Sequence, residues 1–398
     1  MSKTSKKQGG SLAMLAGELK GVLKRAGSVI RRASTLPVLS TVRLGCEPGG
    51  WQVEATDLDR AWRERLRTER DGGTAGDAVC VAHGMLSRLV GGFDNDAVLD
   101  LVLDEASGVL TLKGNGREAR LMTLPADEFP RDLMGRLPES GSLVPVPAGV
   151  LKKGLDSVRG VASTDPTRYV LNGVHFAIGQ GRAAGGVELV ATDGRRMSAY
   201  VAPEVAAAVI GTERPGLTVP SAAVESLLGM LAEVEDDGEI RLGFSADGYL
   251  SAVAPGERCL VAKLIEGNYP QWRNVVPVDG PQDVILKVDR EKLLAAVRWM
   301  AAFGKGGPGS VGTKLGMSAS GVVLERQCPE MGHGEAKVEA EWTGKEAMTV
   351  CVDVDYLAAA IAAADVERLE LKLIGAMSPV KIESGSLLQI LMPMRVND

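Results

Sequence analysis

The sequence predicts an α+β protein of three similar domains, each with two helices packed on antiparallel sheet. Three observations predict this. Related stretches recur at a period of roughly 130–140 residues, an amphipathic helix pattern opens each recurrence, and short alternating apolar–polar runs fill the remainder. That period is the length of a domain and exceeds that of solenoid repeats. A chain of 398 residues is also too long for one ordinary core.

The recurrence is clearest in three pairs of stretches. "LPADEFP" ends at Pro130 and "LIEGNYP" at Pro270. "ATD" recurs with its aspartate at Asp57 and Asp193, and "LSTVRL" and "LNGVHF" start at Leu39 and Leu171. The three pairs have nearly the same separation. We therefore expect a duplicated unit, with a fainter third copy after it.

The predicted linkers are "LPESGS" and "PVDGPQ", where Pro, Gly and acidic residues cluster. The basic, polar start of the chain predicts a disordered lead-in over residues 1–10 and not a secretory signal. The resulting domain bounds are 1–138, 139–277 and 278–398.

Each domain is predicted to open with an amphipathic helix, because apolar residues recur at i, i+3, i+4 and i+7. These stripes are Leu19, Val22, Leu23 and Ala26; Leu151, Leu155, Val158 and Ala162; and Leu293, Val297 and Met300. Second helices are expected around Met85–Val90, Val224–Leu231 and Leu357–Ala364. Hairpins are expected in "VLDLVLDEASGVLTLKG", "EIRLGFSADGYLSAVA" and "RLELKLIGAMSPVKIES".

The composition limits the function classes. A net charge of −6 argues against a protein that simply coats nucleic acid or anionic membrane. Five cysteines without a CxxC pair indicate reduced thiols in the cytoplasm. No apolar run approaches membrane-spanning length. We expect a cytoplasmic protein without cofactor, metal or membrane partner.

Positive charge is nevertheless concentrated on and just after the opening helices. Taken singly, each basic face is typical of a solvated helix. Recurrence in all three domains favours a shared surface for a polyanion, and phosphate contacts of this kind carry no base specificity. The candidate residues are Lys20, Lys24, Arg25, Arg31, Arg32, Lys152, Lys153, Arg159, Arg168, Arg290, Lys292 and Arg298.

The sequence offers little support for catalysis. The Gly-rich loop 304–314 resembles a phosphate-binding loop, but Thr313 and Lys314 stand in the wrong order for one. The three histidines lie far apart in sequence. Asp57 and Asp193 follow Thr and precede predicted turns, so capping of an Asx-turn is the favoured role for both. A nucleotide-binding enzyme that uses the loop stays an alternative.

An ordered set of motifs resembles the bacterial DNA polymerase III beta subunit family, the sliding clamps. The motifs are "TLPVLSTVRL", "EATDLDRAW", "TLPADEFP", "TRYVLNGVHFAI", "VATDGRRMSAYVAP", "KLIEGNYPQWRNVVP" and "SPVKIES…LMPMRV". They run in order from about residue 11 to 396, so the resemblance covers nearly the whole chain.

The resemblance implies a non-catalytic processivity factor with the DNA clamp fold. Two chains of three domains would close head-to-tail into a ring, and duplex DNA would pass through it without sequence preference. Partners would be the DNA polymerase III alpha subunit, the clamp loader and other proteins with a clamp-binding motif. The resemblance adds Tyr169 to the DNA-facing residues, and it places Leu121 and Phe303 at the dimer interface.

The resemblance also implies a hydrophobic cleft for partner peptides, with "LMPMRV" as one wall. The matching positions are Leu171, Thr192, Gly194, Arg195, Arg196, Met197, Pro270, Asn274, Val275, Met392, Pro393, Met394, Arg395 and Val396. The family usually has His at Arg195 and Arg at Asn274, so the rim would suit different peptide ends. Two alternatives stay open: "LMPMRV" as a last core strand, and a clamp-fold scaffold without DNA function.

Overall fold

The structure, a computed structural model, describes residues 10–31, 34–104, 107–138, 142–178, 182, 186–202, 216–303, 312–328 and 332–395. The described residues group into two compact units. Unit 1 holds those up to Lys152 and those from Val219 to Leu264, and unit 2 holds the others.

The described part of the chain contains three pairs of α-helices, which confirms the predicted helix pattern. No described helix is long and apolar enough to cross a membrane. The helices are α1 (Ala16–Ala26), α2 (His83–Gly91), α3 (Ala148–Val158), α4 (Ser221–Leu231), α5 (Arg290–Ala301) and α6 (Val354–Ala363).

A strand precedes each of the six helices, and the strands of the described residues are numbered in chain order. They are β1 (Ser11–Leu15), β2 (Thr41–Glu47), β3 (Gly50–Thr56), β4 (Arg60–Arg65), β5 (Arg70–Asp71), β6 (Ala78–Ala82), β7 (Val98–Asp104), β8 (Val109–Gly114), β9 (Arg117–Pro125), β10 (Val144–Pro147), β11 (Gly173–Ile178), β12 (Val187–Thr192), β13 (Arg196–Ala202), β14 (Gly216–Pro220), β15 (Glu239–Phe244), β16 (Tyr249–Ala254), β17 (Arg258–Lys263), β18 (Val284–Asp289), β19 (Thr313–Ser318), β20 (Gly321–Cys328), β21 (Gly332–Val338), β22 (Ala340–Trp342), β23 (Met348–Val352), β24 (Arg368–Leu373), β25 (Val380–Ser384) and β26 (Leu387–Leu391).

The strands form antiparallel sheets. Unit 1 contains a sheet of order β10-β15-β16-β17-β4-β3-β2-β6-β9-β8-β7-β1-β5. Two further sheets have the orders β14-β11-β12-β13-β26-β25-β24-β18-β22 and β21-β20-β19-β23. The three predicted hairpins are confirmed, because β7 pairs with β8, β15 with β16 and β24 with β25.

Two other strand pairings join strands from different predicted domains. In unit 1, β17 pairs with β4, and in unit 2, β26 pairs with β13. The segment Val219–Leu264 therefore groups with unit 1, although the sequence assigns it to the middle domain. The compact units thus differ from the predicted segments, and the three domain bounds stay a prediction.

Apolar helix faces build the core of unit 2. Leu293, Val297 and Met300 of α5 pack with Leu357 and Ile361 of α6 in one cluster of buried residues with the neighbouring strands. Both helices start at an aspartate whose side chain accepts backbone N–H bonds, Asp289 for α5 and Asp353 for α6. These caps satisfy donors that the first helical turn leaves unpaired.

The two Thr-Asp stretches fold into the same hydrogen-bonded turn. Asp57 Oδ1 accepts the backbone N–H groups of Asp59 and Arg60 at 3.1 and 2.7 Å. Asp193 Oδ1 accepts those of Arg195 and Arg196 at 2.9 and 3.0 Å. The capping role predicted for both aspartates is therefore confirmed.

Each turn also closes on itself through an ion pair. The guanidinium of Arg60 lies 2.8 Å from Asp57 Oδ2, and that of Arg196 lies 3.0 Å from Asp193 Oδ2. The intervening residues Leu58 and Gly194 both have positive φ, at 76° and 85°. The ion pair therefore stabilises a left-handed backbone conformation that is unfavourable for a residue other than glycine.

Replacing Asp57 by Ala should lower the free energy of unfolding by about 2–3 kcal/mol, because two backbone donors lose their acceptor and the half-buried guanidinium of Arg60 loses its carboxylate partner. Asp59→Ala is the matched control, because the Asp59–Arg31 pair is exposed and should contribute less than about 1 kcal/mol. Urea denaturation followed by circular dichroism measures both. Equal midpoints for the two variants would contradict the role of the turn.

Candidate partner-binding cleft and basic helices

The pairing of β13 with β26 brings distant cleft residues together in unit 2. Met197 lies opposite Ile390 and Arg196 opposite Leu391 in the strand register. Just past β26, the backbone N–H of Met392 donates to the carbonyl of Arg195 at 2.9 Å. The turn that follows β12 and the segment that follows β26 are therefore held side by side.

The segment after β26 is not a core strand. All five residues of β26 are buried, but Met392 is 43% exposed and Arg395 is exposed. Pro393 and Met394 are half-buried, and the N–H of Met394 donates to the carbonyl of Cys351 at 2.8 Å. The strand interpretation thus holds up to Leu391 only. Val396 lies outside the described residues.

A buried apolar cluster lies beneath these segments. It contains Met197, Trp272, Leu388 and Ile390, with Tyr269 packed against it. The other predicted cleft positions range from buried to exposed: Leu171 is buried, Thr192 is half-buried, and Gly194, Pro270, Asn274 and Val275 are exposed. Exposed apolar side chains next to a rigid apolar cluster can accept an apolar partner residue.

Arginines surround the Asp193 turn. Arg168 Nη1 donates to the Asp193 carbonyl at 3.0 Å, and the exposed side chain of Arg195 follows in the same turn. The guanidinium of Arg196 lies 4.1 Å from the ring centroid of Tyr356 and donates to the Gly160 carbonyl. Arg196 is therefore fixed by three contacts, whereas Arg195 projects to solvent.

A buried ion pair holds the segment after Pro270. Glu188 is fully buried, and its carboxylate lies 3.2 Å from Arg273 and 3.1 Å from Arg182. Arg273 also stacks on Trp272, 4.2 Å from the ring centroid. We did not predict these residues from the sequence. The available signal was the lone Glu188 in the apolar stretch "GVELVA", since a buried charge requires a partner.

His175 belongs to the support of the same region. Its ring stacks on Tyr269 at a centroid distance of 4.3 Å, and its Nδ1 lies 3.0 Å from Thr218 Oγ1. Burial, together with the nearby charge of Arg273, lowers the pKa of His175 to about 4. The imidazole is therefore neutral near pH 7 and acts as a packing group.

Most of the predicted DNA-facing cations already have partners within the chain. Arg25 forms an ion pair with Glu64 at 2.7 Å and is largely buried. Arg31 pairs with Asp59, Lys152 with Asp236, Lys153 with Asp365, Arg159 with Asp156, Arg290 with Glu291 and Lys292 with Glu339. Lys20 donates to the Phe93 carbonyl at 2.5 Å. Arg32 lies outside the described residues.

Two helix cations differ from the others. Lys24 of α1 and Arg298 of α5 are exposed and have no carboxylate partner among the described residues. Tyr169 is also exposed, at 58%. Among the described members of the predicted DNA-facing set, these side chains are the most available for contact with phosphate.

The two predicted dimer contacts differ in accessibility. Leu121 is only 8% exposed, because its position in β9 points it into the sheet's own core, whereas the adjacent Met122 is 76% exposed. Phe303 is half-buried and packs edge-to-face on Trp299, which is 53% exposed. Of the two, only Phe303 offers an accessible apolar surface in this chain.

The described residues contain no group of His, Cys, Asp and Glu that could hold a metal ion. Cys46, Cys80, Cys259 and Cys351 are buried free thiols. Residues 304–311 of the Gly-rich loop lie outside the described residues. Thr313 and Lys314 start strand β19, whereas the corresponding residues of a phosphate-binding loop start a helix.

Comparison with family models identifies two domains in the chain. Residues 145–271 match the central domain of the DNA polymerase III beta subunit, and residues 273–395 match its C-terminal domain. Together these matches span more than half of the chain.

Relatives match over nearly the full length. The beta sliding clamp of Synechococcus elongatus is 28% identical, with 91% of this chain and 92% of the relative covered. That of Pseudomonas aeruginosa is 25% identical, with 94% and 96% covered.

Solved structures have the same fold. The sliding clamp of Bartonella birtlesii bound to griselimycin has a TM-score of 0.84 at 26% identity, with 97% of this chain and 100% of that chain covered. The Caulobacter crescentus beta sliding clamp has a TM-score of 0.84 at 24% identity, with 98% and 100% covered. This agreement confirms the predicted α+β clamp fold, and the chain belongs to the DNA polymerase III beta subunit family, the bacterial sliding clamps.

Proposed function

We propose that the protein is a DNA sliding clamp that acts in the cytoplasm. Two copies close head-to-tail into a ring around duplex DNA, bind it without sequence preference and tether the replicative polymerase. The ring performs no catalysis. It acts by tethering, which raises the effective concentration of the polymerase at its template. The observation that carries the proposal is the clamp fold along 97% of the chain at a TM-score of 0.84.

The cleft in unit 2 is the proposed site for partner peptides. Partners are the DNA polymerase III alpha subunit, the clamp loader and other proteins that carry a clamp-binding motif. An extended peptide would place apolar anchors over Met197 and Met392, whose flexible side chains adapt to different partners. The exposed Arg195, in a place where the family usually has His, favours a partner with an acidic residue beside its anchors.

The opening helices are the proposed DNA-facing surface. Lys24 and Arg298 contribute most, since their ammonium and guanidinium groups are not neutralised by a carboxylate of the described residues. Contacts to few phosphates give weak, salt-sensitive binding, which permits sliding. No observation favours the nucleotide-binding enzyme.

Reversing the two exposed helix charges with Lys24→Glu and Arg298→Glu should reduce the amount of clamp loaded onto nicked circular DNA at least ~5-fold, because the phosphate contacts that assist loading are lost. The matched control is Lys263→Glu with Lys345→Glu, which changes the net charge equally at exposed lysines outside the helices. Gel filtration of the DNA–clamp complex after the loading reaction measures the loaded amount, and native mass spectrometry should show two chains for both variants. Equal losses in both variants would show that the helices do not contact DNA.

Deleting residues 393–398 should abolish binding of a polymerase-derived peptide while leaving thermal unfolding nearly unchanged. Full-length protein should bind the peptide with a Kd on the order of micromolar, and the deletion should weaken binding by roughly 30-fold or more. The core is spared because β26 ends at Leu391.

Isothermal titration calorimetry tests this deletion. Val278→Ala serves as control, because Val278 is 84% exposed and is not among the predicted cleft residues. If the truncated protein bound the peptide as tightly as the full chain, the segment would have no part in the cleft.

A further inference from the structure

The two Thr-Asp turns allow the repeats to be compared position by position. After each turn, the arginine side chain reaches back to a carbonyl just beyond an opening helix. Arg60 donates to the Ser28 carbonyl at 3.0 Å in unit 1, and Arg196 donates to the Gly160 carbonyl at 2.8 Å in unit 2. The strands β4 and β13 therefore begin at equivalent places, and residues counted onward from each arginine correspond.

Two positions beyond these arginines, the repeats differ sharply in side-chain volume. The first repeat has Trp62, which pairs across the sheet with Leu260. The second has Ser198, which pairs across the sheet with Gln389. All four residues are at most 3% exposed. An indole and a leucine in unit 1 are thus replaced by a hydroxymethyl group and an amide in unit 2.

The first repeat also satisfies the polar atom of its indole. Trp62 Nε1 donates to Glu64 Oε2 at 3.3 Å, and Glu64 is held by Arg25. In the second repeat, Gln389 Oε1 is buried and has no hydrogen-bond partner in the described part of the chain. A buried acceptor of this kind costs stability unless a donor reaches it.

A cavity of about 140 Å³ lies where the second repeat lacks the indole. Ser198, Gln389 and Leu391 line it on the strand side, and Val161, Tyr356 and Ala360 line it on the helix side. Its lining is mainly apolar, with the Tyr356 ring as one aromatic wall. A protein cavity of roughly 150 Å³ lined by apolar side chains takes up benzene.

We propose that this cavity in unit 2 binds a small planar aromatic molecule of the indole class, which donates its N–H to Gln389 Oε1. The ring system would occupy the volume that Trp62 fills in the first repeat, and the N–H would satisfy the buried acceptor. Asp156 and Arg196 also line the cavity, but each already forms an ion pair, with Arg159 and Asp193 respectively, so a neutral ligand fits the site better than a charged one. The site is separate from the peptide cleft in function, although Arg196 and Met197 border both.

The test uses 5-fluoroindole and ¹⁹F NMR, so that the tryptophans of the chain do not interfere. The full-length protein should bind it saturably, with a Kd of ~0.1–1 mM as expected for a ligand of this size. In competition, indole should bind about fivefold more tightly than indene, its carbon analogue, because only indole donates a hydrogen bond.

Two variants decide the location. Ser198→Trp with Gln389→Leu copies the first repeat, fills the cavity and should weaken binding at least ~10-fold. Gln389→Leu alone should bring indole and indene within about twofold of each other and raise the unfolding temperature by about 2–4 °C.

Three results would overturn the proposal. One is the lack of saturable binding by the wild-type protein up to about 5 mM. Another is unchanged affinity in the folded double variant. The third is an indole-to-indene ratio that Gln389→Leu leaves unchanged, which decides the matter if the double variant does not fold.

Discussion

The backbone ladder between β13 and β26 is the constraint on which the candidate cleft depends. It pairs a strand from the middle of the chain with one much later in the sequence, from Arg196↔Leu391 to Tyr200↔Leu387. This register is what places Met197 near Met392, which is far from it in sequence. The ladder between β4 and β17 likewise pairs strands of two consecutive repeats in unit 1, and each such pairing is called a joint below. Strand pairing thus connects consecutive repeats and places their loops.

An aspartate–arginine turn precedes the first strand of each joint, β4 in unit 1 and β13 in unit 2, and fixes where that strand begins. Both turns use the same side-chain acceptor, and both send the arginine to a helix-end carbonyl. The strand residues after the turns differ between the joints. The first joint is closed by Trp62 and Leu260, whereas the second has smaller or polar side chains and carries the proposed sites. Side chains thus fill the joint in unit 1, whereas the joint in unit 2 carries the sites that we propose for binding.

Local patterns in the sequence predicted the helices, the hairpins and the Asx-turns, because apolar spacing and turn residues determine these elements over a few residues. The joining of repeats into continuous sheets was not predictable in this way, since it depends on pairing over long separations. The sequence also did not show which basic side chains are accessible to phosphate. Arg25 and Lys24 are adjacent and equally basic in sequence, yet only the structure shows that Glu64 neutralises Arg25. Likewise, Leu121 and Met122 point to opposite sides of one strand.

Encirclement of DNA is the central claim, and topology tests it most directly. Clamp loaded on nicked circular DNA should stay bound through a high-salt wash that removes electrostatic contacts, and cutting the circle should release it. The measurement is the amount of clamp that co-elutes with DNA before and after linearisation. Retention on the circle with loss from the linear form is the expected result. Equal retention on both forms would contradict a closed ring around the DNA.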